Sequence, residues 1–365
     1  MYYRLAIVHF GRYNVLLIHY NVYLRLMLIY VFWNNKGGTG KTSLAFQTIC
    51  RYANKNPNKR ILAIDVCPQA NLSELFLGGL TNNGSRNLLE RQGFVPRCSV
   101  GGYFQLRLPA PFAVPNFSVQ DFFSKPAKYN ANIPRNIELF CGDPLLELQA
   151  NAINTLANTQ IPGTDTWIAI IDWLKDALDQ VRDEYDVVFI DTNPSFSIYT
   201  QIAVSTAHRL ILPVMADDSS RRAIQNAFSL VYGLKLPSDI YSKYAFATKL
   251  MLAERSLPQV HVVVKNRITQ YMGPASAYAA VLRSIEEDLS SLIHSNPDIF
   301  TFNEVGQGIV EIRDFQTTGV VAFARGCPFY DQVSGKLDIG GHRVQIKEDY
   351  KDNCIKAIDT LVDRL

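Results

Sequence analysis

The sequence predicts an α/β fold, a mostly parallel twisted sheet covered by helices on both faces. Three observations lead there. Short apolar runs such as Met27-Leu28-Ile29-Tyr30-Val31-Phe32, Arg60-Ile61-Leu62-Ala63-Ile64-Asp65 and Tyr185-Asp186-Val187-Val188-Phe189-Ile190-Asp191 read as buried strands. Segments with helical periodicity separate them, and strands alternating with helices build parallel sheets. Two of these strands end in a carboxylate, where sheets of this class place their ligands.

The first strand runs into Trp33-Asn34-Asn35-Lys36-Gly37-Gly38-Thr39-Gly40-Lys41-Thr42-Ser43, and a helix starts by Leu44. Strand, glycine-rich loop and helix form the context of a phosphate-binding loop. Glycines let the backbone curl with its N–H groups inward, and the helix N-terminus adds its positive dipole end. Lys41 is expected to reach the β- and γ-phosphates, and the Thr42 hydroxyl to bind Mg²⁺. A chance glycine turn is the bland alternative.

Lys36 completes Lys-Gly-Gly-Thr-Gly-Lys-Thr, which resembles the deviant Walker A motif of the ParA/MinD family of ATPases. The resemblance implies the three-layer P-loop NTPase sandwich and an ATP-bound sandwich homodimer. In it, Lys36 reaches the partner's nucleotide, and Lys36, Gly37, Gly38, Thr39, Gly40, Lys41, Thr42 and Ser43 line the site. A second cation would tie association to an intact triphosphate. Taken alone, Lys36 also fits a solvated surface lysine.

The chain has 365 residues, 48% hydrophobic and 19% charged, enough for one large α/β domain with insertions or two smaller domains. A net charge of +3 does not by itself argue for nucleic acid. Six cysteines are scattered with no C-x-x-C, pointing away from zinc, an iron–sulfur cluster or a disulfide framework and toward reduced thiols in the cytosol. Residues 1–26 are apolar but interrupted by Arg4, Arg12 and Arg25. They read as a mistaken upstream start before Met27, as an extra edge strand or helix, or as a membrane anchor, in that order. No membrane anchor is expected. A single domain over 27–365 is expected, with insertions at about 81–135 and 235–258.

After the strand ending at Asp65 come Val66-Cys67-Pro68-Gln69-Ala70-Asn71-Leu72-Ser73. This resembles the family's Asp-x-Asp-Pro-Gln element and assigns Asp65, with Lys36 and Lys41, to catalysis. Cys67 occupies the second aspartate, which in the family helps to position the attacking water. A mostly protonated thiol is no substitute acceptor, so slow hydrolysis is expected, or rescue by a carboxylate such as Glu74.

The stretch 81–135 mixes glycine, proline and aromatics and reads as an insertion, with short helices around Val119–Phe123, either a partner-binding lobe or cover for the sheet edge. A strand follows at 136–141, then helices at 144–156 and 167–181. Asp191-Thr192-Asn193-Pro194-Ser195 resembles the Walker B/switch II element, with Asn193 in place of a proline. Asp191 is expected to hold Mg²⁺ with Thr42 and Asp65, because hard cations prefer oxygen ligands. A helix near 198–207 and a strand at 209–214 come next. Asp217-Asp218-Ser219-Ser220 then caps a helix through Leu230, with Arg221 and Arg222 in its first turn. In the family that helix commonly lies at the dimer interface.

The strand 260–267 carries Asn266, matching the family's adenine-contacting asparagine. A turn asparagine is the other reading. Residues 309–314 and Gly326-Cys327-Pro328 resemble the segment closing the base pocket, with Pro328 near the adenine. A final helix is expected from Arg343 to Leu365, acidic enough to be repelled by an anionic membrane.

The resemblance implies a ParA-like ATPase that binds Mg-ATP and acts as a nucleotide switch in plasmid or chromosome partitioning. Its expected partners are nonspecific DNA and a ParB-like or other protein. Lys265, Arg267, Arg283, Arg325 and Arg343 are candidates for a DNA-binding patch. A cytoplasmic location is expected. The competing reading is a nucleotide-gated interaction scaffold with slow or absent hydrolysis, which Cys67 and the aromatic insertion favour. A nitrogenase-reductase-like enzyme is a third, for which cluster cysteines are not evident.

Overall fold

The computed structural model describes residues 4–10, 13–19, 27–215, 217–268 and 277–365. Residues 1–3, 11–12 and 20–26, within the stretch read as an extension or mistaken start, lie outside the described residues.

Strands β1 (Arg4–Phe10) and β2 (Tyr13–His19) pair antiparallel as a separate two-stranded sheet. The main body begins with β3 (Leu28–Phe32), α1 (Lys41–Lys55), β4 (Ile61–Val66) and α2 (Asn71–Phe76). The first insertion follows as α3 (Gly84–Gln92), α4 (Val100–Arg107) and β5 (Phe123–Ser124). Next come β6 (Ile137–Phe140), α5 (Leu145–Ala157), α6 (Thr166–Ile171), α7 (Trp173–Asp179), β7 (Val187–Thr192), α8 (Ile198–Thr206), β8 (Arg209–Val214) and α9 (Asp218–Tyr232). The second insertion holds α10 (Asp239–Ser242) and α11 (Phe246–Leu252). The chain closes with β9 (Gln259–Ile268), α12 (Ala277–Ser295), α13 (Val305–Gly308), β10 (Ile309–Arg313), α14 (Gln316–Arg325), β11 (Gly335–Ile339), β12 (His342–Ile346) and α15 (Glu348–Val362).

The central sheet has eight strands in the order β10-β9-β8-β3-β7-β4-β6-β5. Every pairing is parallel except β5 with β6. The predicted sheet class is the one observed. Its inner strands alternate between two cores, because successive side chains point to opposite faces. Ile29, Val31, Leu62, Ile64, Val188 and Ile190 pack on one face, against α5, α8 and their neighbours. Tyr30, Phe32, Ile61, Ala63, Val187 and Phe189 pack on the other, against α1, α2 and α15.

Three local expectations need correction. The helix predicted over 167–181 is two helices, broken at Asp172 (φ −81°, ψ 1°), whose carboxylate accepts from Arg255 at 2.7 Å. A side chain recruited by a distant cation marks a break that periodicity does not show. The helix predicted from Arg343 starts only at Glu348. Residues 335–346 instead form a hairpin around Gly340-Gly341, both at positive φ, as a two-residue hairpin turn requires. The acidic residues of α15 are partly spoken for: Asp359 and Asp363 tie the helix to Arg51 and Lys55 of α1.

The first insertion forms a 3₁₀ turn at Val119–Phe122 and adds β5 to the sheet edge. Its aromatics Tyr103, Phe104, Phe122 and Phe123 are buried against Phe140 and Trp173. These aromatics belong to the main core. All six cysteines are free and buried. Among the described residues, no helix is long and apolar enough to cross a membrane.

Candidate nucleotide site

The loop between β3 and α1 lies at the C-terminal ends of the parallel strands, beside the ends of β4, β7 and β8. Its curl needs left-handed backbone at Gly38 (φ 74°) and Gly40 (φ 77°). Gly40 also faces a close neighbour: a Cβ there would lie 2.6 Å from the Asn266 side-chain nitrogen. Asn34 clamps the loop's entrance. Its side-chain amide donates to Pro213 O at 2.7 Å, and its side-chain oxygen accepts from the Lys36 N–H at 3.0 Å. The buried Lys41 ammonium donates to the Asn34 and Lys36 carbonyls at 3.2 and 3.1 Å. Burial pushes its pKa down, against the pull of Asp191 and Cys67.

Asp65 and Asp191 end neighbouring strands and pair in register. Both are fully buried, and burial drives both carboxyl pKa values up. Asp65 is well supplied with donors: Cys67 N–H at 3.1 Å, Ser73 N–H at 2.9 Å and Ser73 Oγ at 2.8 Å. Those bonds hold it back, whereas Asp191 also feels the Asp65 charge. Among the described residues no well-aligned donor reaches either Asp191 oxygen, although the Thr42 hydroxyl, the Lys41 charge and the Thr192 N–H lie close enough to oppose the rise. A buried carboxylate left this way is costly unless a cation completes it. This fits a hard divalent ion, with Asp191 and Thr42 as its protein oxygens and Asp65 shaping the loop behind them.

A substitution exposes that cost. Asp191→Asn should stabilise the metal-free protein by about 1–3 kcal/mol, because it removes the uncompensated charge. Thermal denaturation in chelator should show a higher midpoint, and Mg²⁺ should no longer strengthen nucleotide binding. A lower midpoint would count against this account.

Cys67 is buried, and its thiol donates to the Gln69 side-chain oxygen at 2.8 Å. Burial and then the charges of Asp65 and Asp191 push its pKa far up, so it stays a neutral donor. Glu74, the suggested rescuing carboxylate, is engaged with Ser85 in the first insertion.

Lys36 does not hang free. Its ammonium donates to Asp217 Oδ1 at 2.6 Å and to Ser220 Oγ at 3.1 Å, within the same chain. Asp217 also caps α9 by accepting from Ser220 N–H at 2.7 Å. Burial raises the Asp217 pKa, but the bonds from Lys36, Ser219 and Ser220 outweigh it and hold the carboxyl at about 2. A depressed carboxyl contributes stability above its unfolded pKa, near 4. That contribution fades as pH falls from about 4 through 2. Asp217→Asn keeps the cap and frees Lys36. If Lys36 must leave Asp217 to act across a dimer, the variant should associate about 5-fold more tightly with ATP, the scale of one partly exposed ion pair. Sedimentation at matched nucleotide would check this, and unchanged or weaker association would refute it.

Asn266 is brought to the loop, where its amide donates to Thr39 O at 2.8 Å, while its buried oxygen has no partner among the described residues. Arg267 follows, reaching Gly38 O at 3.4 Å. Next to Pro328, the Phe329 N–H donates to the Gln47 side-chain oxygen on α1 at 2.9 Å, and Gly326 packs against Leu75 and Gly79 near α2. Lys265 is withdrawn from any DNA patch. It is 2% exposed and ion-paired with Glu286 and Glu311. A lysine in β9 points into the layer below, which its charge alone does not reveal. Arg221 pairs with Asp288 of α12. Sequence reasoning missed Asn34 as a clamp and Asp217 as the partner of Lys36. No local pattern marks a pair 181 positions apart.

The family model described as an AAA domain, AAA_31, matches residues 27–236. That span is more than half of the chain. The chain belongs to the AAA_31 family. The family match stops at 236, so the segment after α9 is outside it. Solved structures share the fold. McdA of Cyanothece, in a complex of an aspartate-to-alanine variant with ATP, is 17% identical, with 93% of this chain and 96% of that chain covered and a TM-score of 0.57. Apo McdA is 15% identical, with 92% and 98% covered and a TM-score of 0.54. A Borrelia burgdorferi protein described as a plasmid partition protein, bound to AMPPNP, is 14% identical, with 93% and 100% covered and a TM-score of 0.51. No curated protein matches the chain in sequence.

Proposed function

We propose that this AAA_31 protein binds Mg-ATP in the β3–α1 loop and works as a ParA-like nucleotide switch in partitioning. The Asp191 carboxylate carries the reading: fully buried, in register with Asp65 and next to Lys41 and Thr42, it is where a divalent cation fits best. The glycine cradle supplies the phosphate donors, Lys41 exchanges two loop carbonyls for phosphate oxygens, and Asn266 orients toward the base from the loop's far side. When bound, Mg²⁺ neutralises phosphate charge. The related McdA and Borrelia structures hold ATP and AMPPNP, which supports an adenine nucleotide.

Dimerisation through the triphosphate follows from Lys36, which must trade Asp217 for the partner's nucleotide. Hydrolysis is slow, because no carboxylate stands at Cys67. DNA binding falls to Arg267, Arg283, Arg325 and Arg343, with a ParB-like partner to release it. Calorimetry with ATP, with and without Mg²⁺, tests the core of this reading. Magnesium-dependent uptake is the expected result, and no uptake overturns it. ATP-dependent DNA affinity that falls steeply with salt supports the partition role. Its absence, with nucleotide binding intact, favours the scaffold reading, to which the neutral Cys67 already points.

A further inference from the structure

Trp33 is the last residue before the phosphate loop turns, and it is fully buried. Its N–H continues the sheet by donating to Ile211 O at 3.1 Å. Its indole N–H donates to Ser195 O at 3.3 Å, and its ring lies 5.1 Å from that of Phe196. Ser195 and Phe196 belong to the loop that leaves Asp191. That loop also approaches the phosphate cradle, since a Cβ on Gly37 would lie 3.9 Å from Pro194. Its polar side is anchored on Asn193. The Asn193 amide donates to Tyr199 Oη at 2.7 Å, and its oxygen accepts from Ser195 Oγ and Thr200 Oγ1 at 3.0 and 2.9 Å.

The apolar side continues outward. Phe196 meets Phe246 edge-on at 5.3 Å, and Phe246 meets Trp167 at 5.9 Å. Phe246 opens α11, in the second insertion, beyond the reach of the family match. On the same segment Tyr241, Tyr244, Met251 and Leu252 are all more than half exposed. The part of the chain outside the family match is therefore wired by ring packing to both loops of the nucleotide site. Packed aromatic contacts are directional and do not deform continuously, so a shift at one end is met by repacking along the row.

We propose that α11 is the output element of the nucleotide site, with Trp33, Phe196 and Phe246 as positioning residues that pass the state of the Asp191 loop to it. The proposal rests on the nucleotide reading above. The row starts at the site because Pro194 lies against Gly37 of the phosphate loop while Phe196, two residues on, is held between Trp33 and Phe246. A triphosphate and a diphosphate then leave α11 in different packing states.

Hydrogen exchange on the full chain, with Mg-ATPγS and with Mg-ADP, tests this, alongside calorimetry for both nucleotides. In the wild type, exchange over 246–252 should differ by about 5-fold or more between the two states, the low end of usual coupling. In Phe196→Ala, a partly exposed position, and in the gentler Phe246→Leu, nucleotide affinity should stay within about 3-fold while the difference is lost. A wild type that takes up neither nucleotide overturns the functional reading itself. Uptake with identical exchange over α11, or a difference that survives in both variants, overturns the relay alone.

Discussion

Lys41→Ala should weaken ATP binding by about 100-fold or more. Charge-assisted hydrogen bonds contribute roughly 1.5–3 kcal/mol each, and Lys41 is placed to make more than one to the β- and γ-phosphates. Its present bonds are to carbonyls of its own loop, Asn34 and Lys36, so the ammonium is held at the cradle before any ligand arrives. Little side-chain freedom is left to lose on binding. The loss should be smaller for ADP, which lacks the γ-phosphate. Calorimetry with both nucleotides would measure it, and an ATP affinity within about 3-fold of wild type would rule out this role for the loop.

Cys67→Asp is expected to have the second large effect, in the direction of gain. A carboxylate able to orient the attacking water contributes about 10²–10⁴-fold, and the thiol, bonded outward to Gln69, cannot do this. Phosphate release by the variant should therefore exceed that of the wild type by at least about 100-fold. The substitution carries a stability cost. A third carboxylate would enter a buried site where Asp65 and Asp191 already raise the pKa of anything acidic. The metal-free variant should melt earlier, and Mg-ATP should restore much of the loss by binding only the folded state. Unchanged turnover in a folded variant would mean that Cys67 is not the limiting position.

Much of the fold was readable from local pattern. Apolar runs of strand length with a carboxylate at the end located β4 and β7, and the glycine loop between β3 and α1 announced itself. The failures were local signals overridden by distant ones. The helical stripe breaks at Asp172, whose carboxylate is paired with the distant Arg255. The Gly340-Gly341 turn is a hairpin signal, but the acidic helix after it drew the predicted helix start back to Arg343, over β12. Lys265 looks like a surface cation in sequence and is buried because β9 is an inner strand flanked by β8 and β10.

By itself, the sequence determined the sheet class, the phosphate loop and the order of its three acidic and basic motifs, because periodicity, turn chemistry and strand-end carboxylates are encoded within a few neighbouring residues. Only the tertiary structure decided that Asp65 is well supplied with donors, that Lys36 is held by Asp217, and that Trp33 leads through Phe196 to α11. Those facts depend on which strand lies beside which, and therefore on contacts between residues far apart along the chain, where no local pattern can specify a partner.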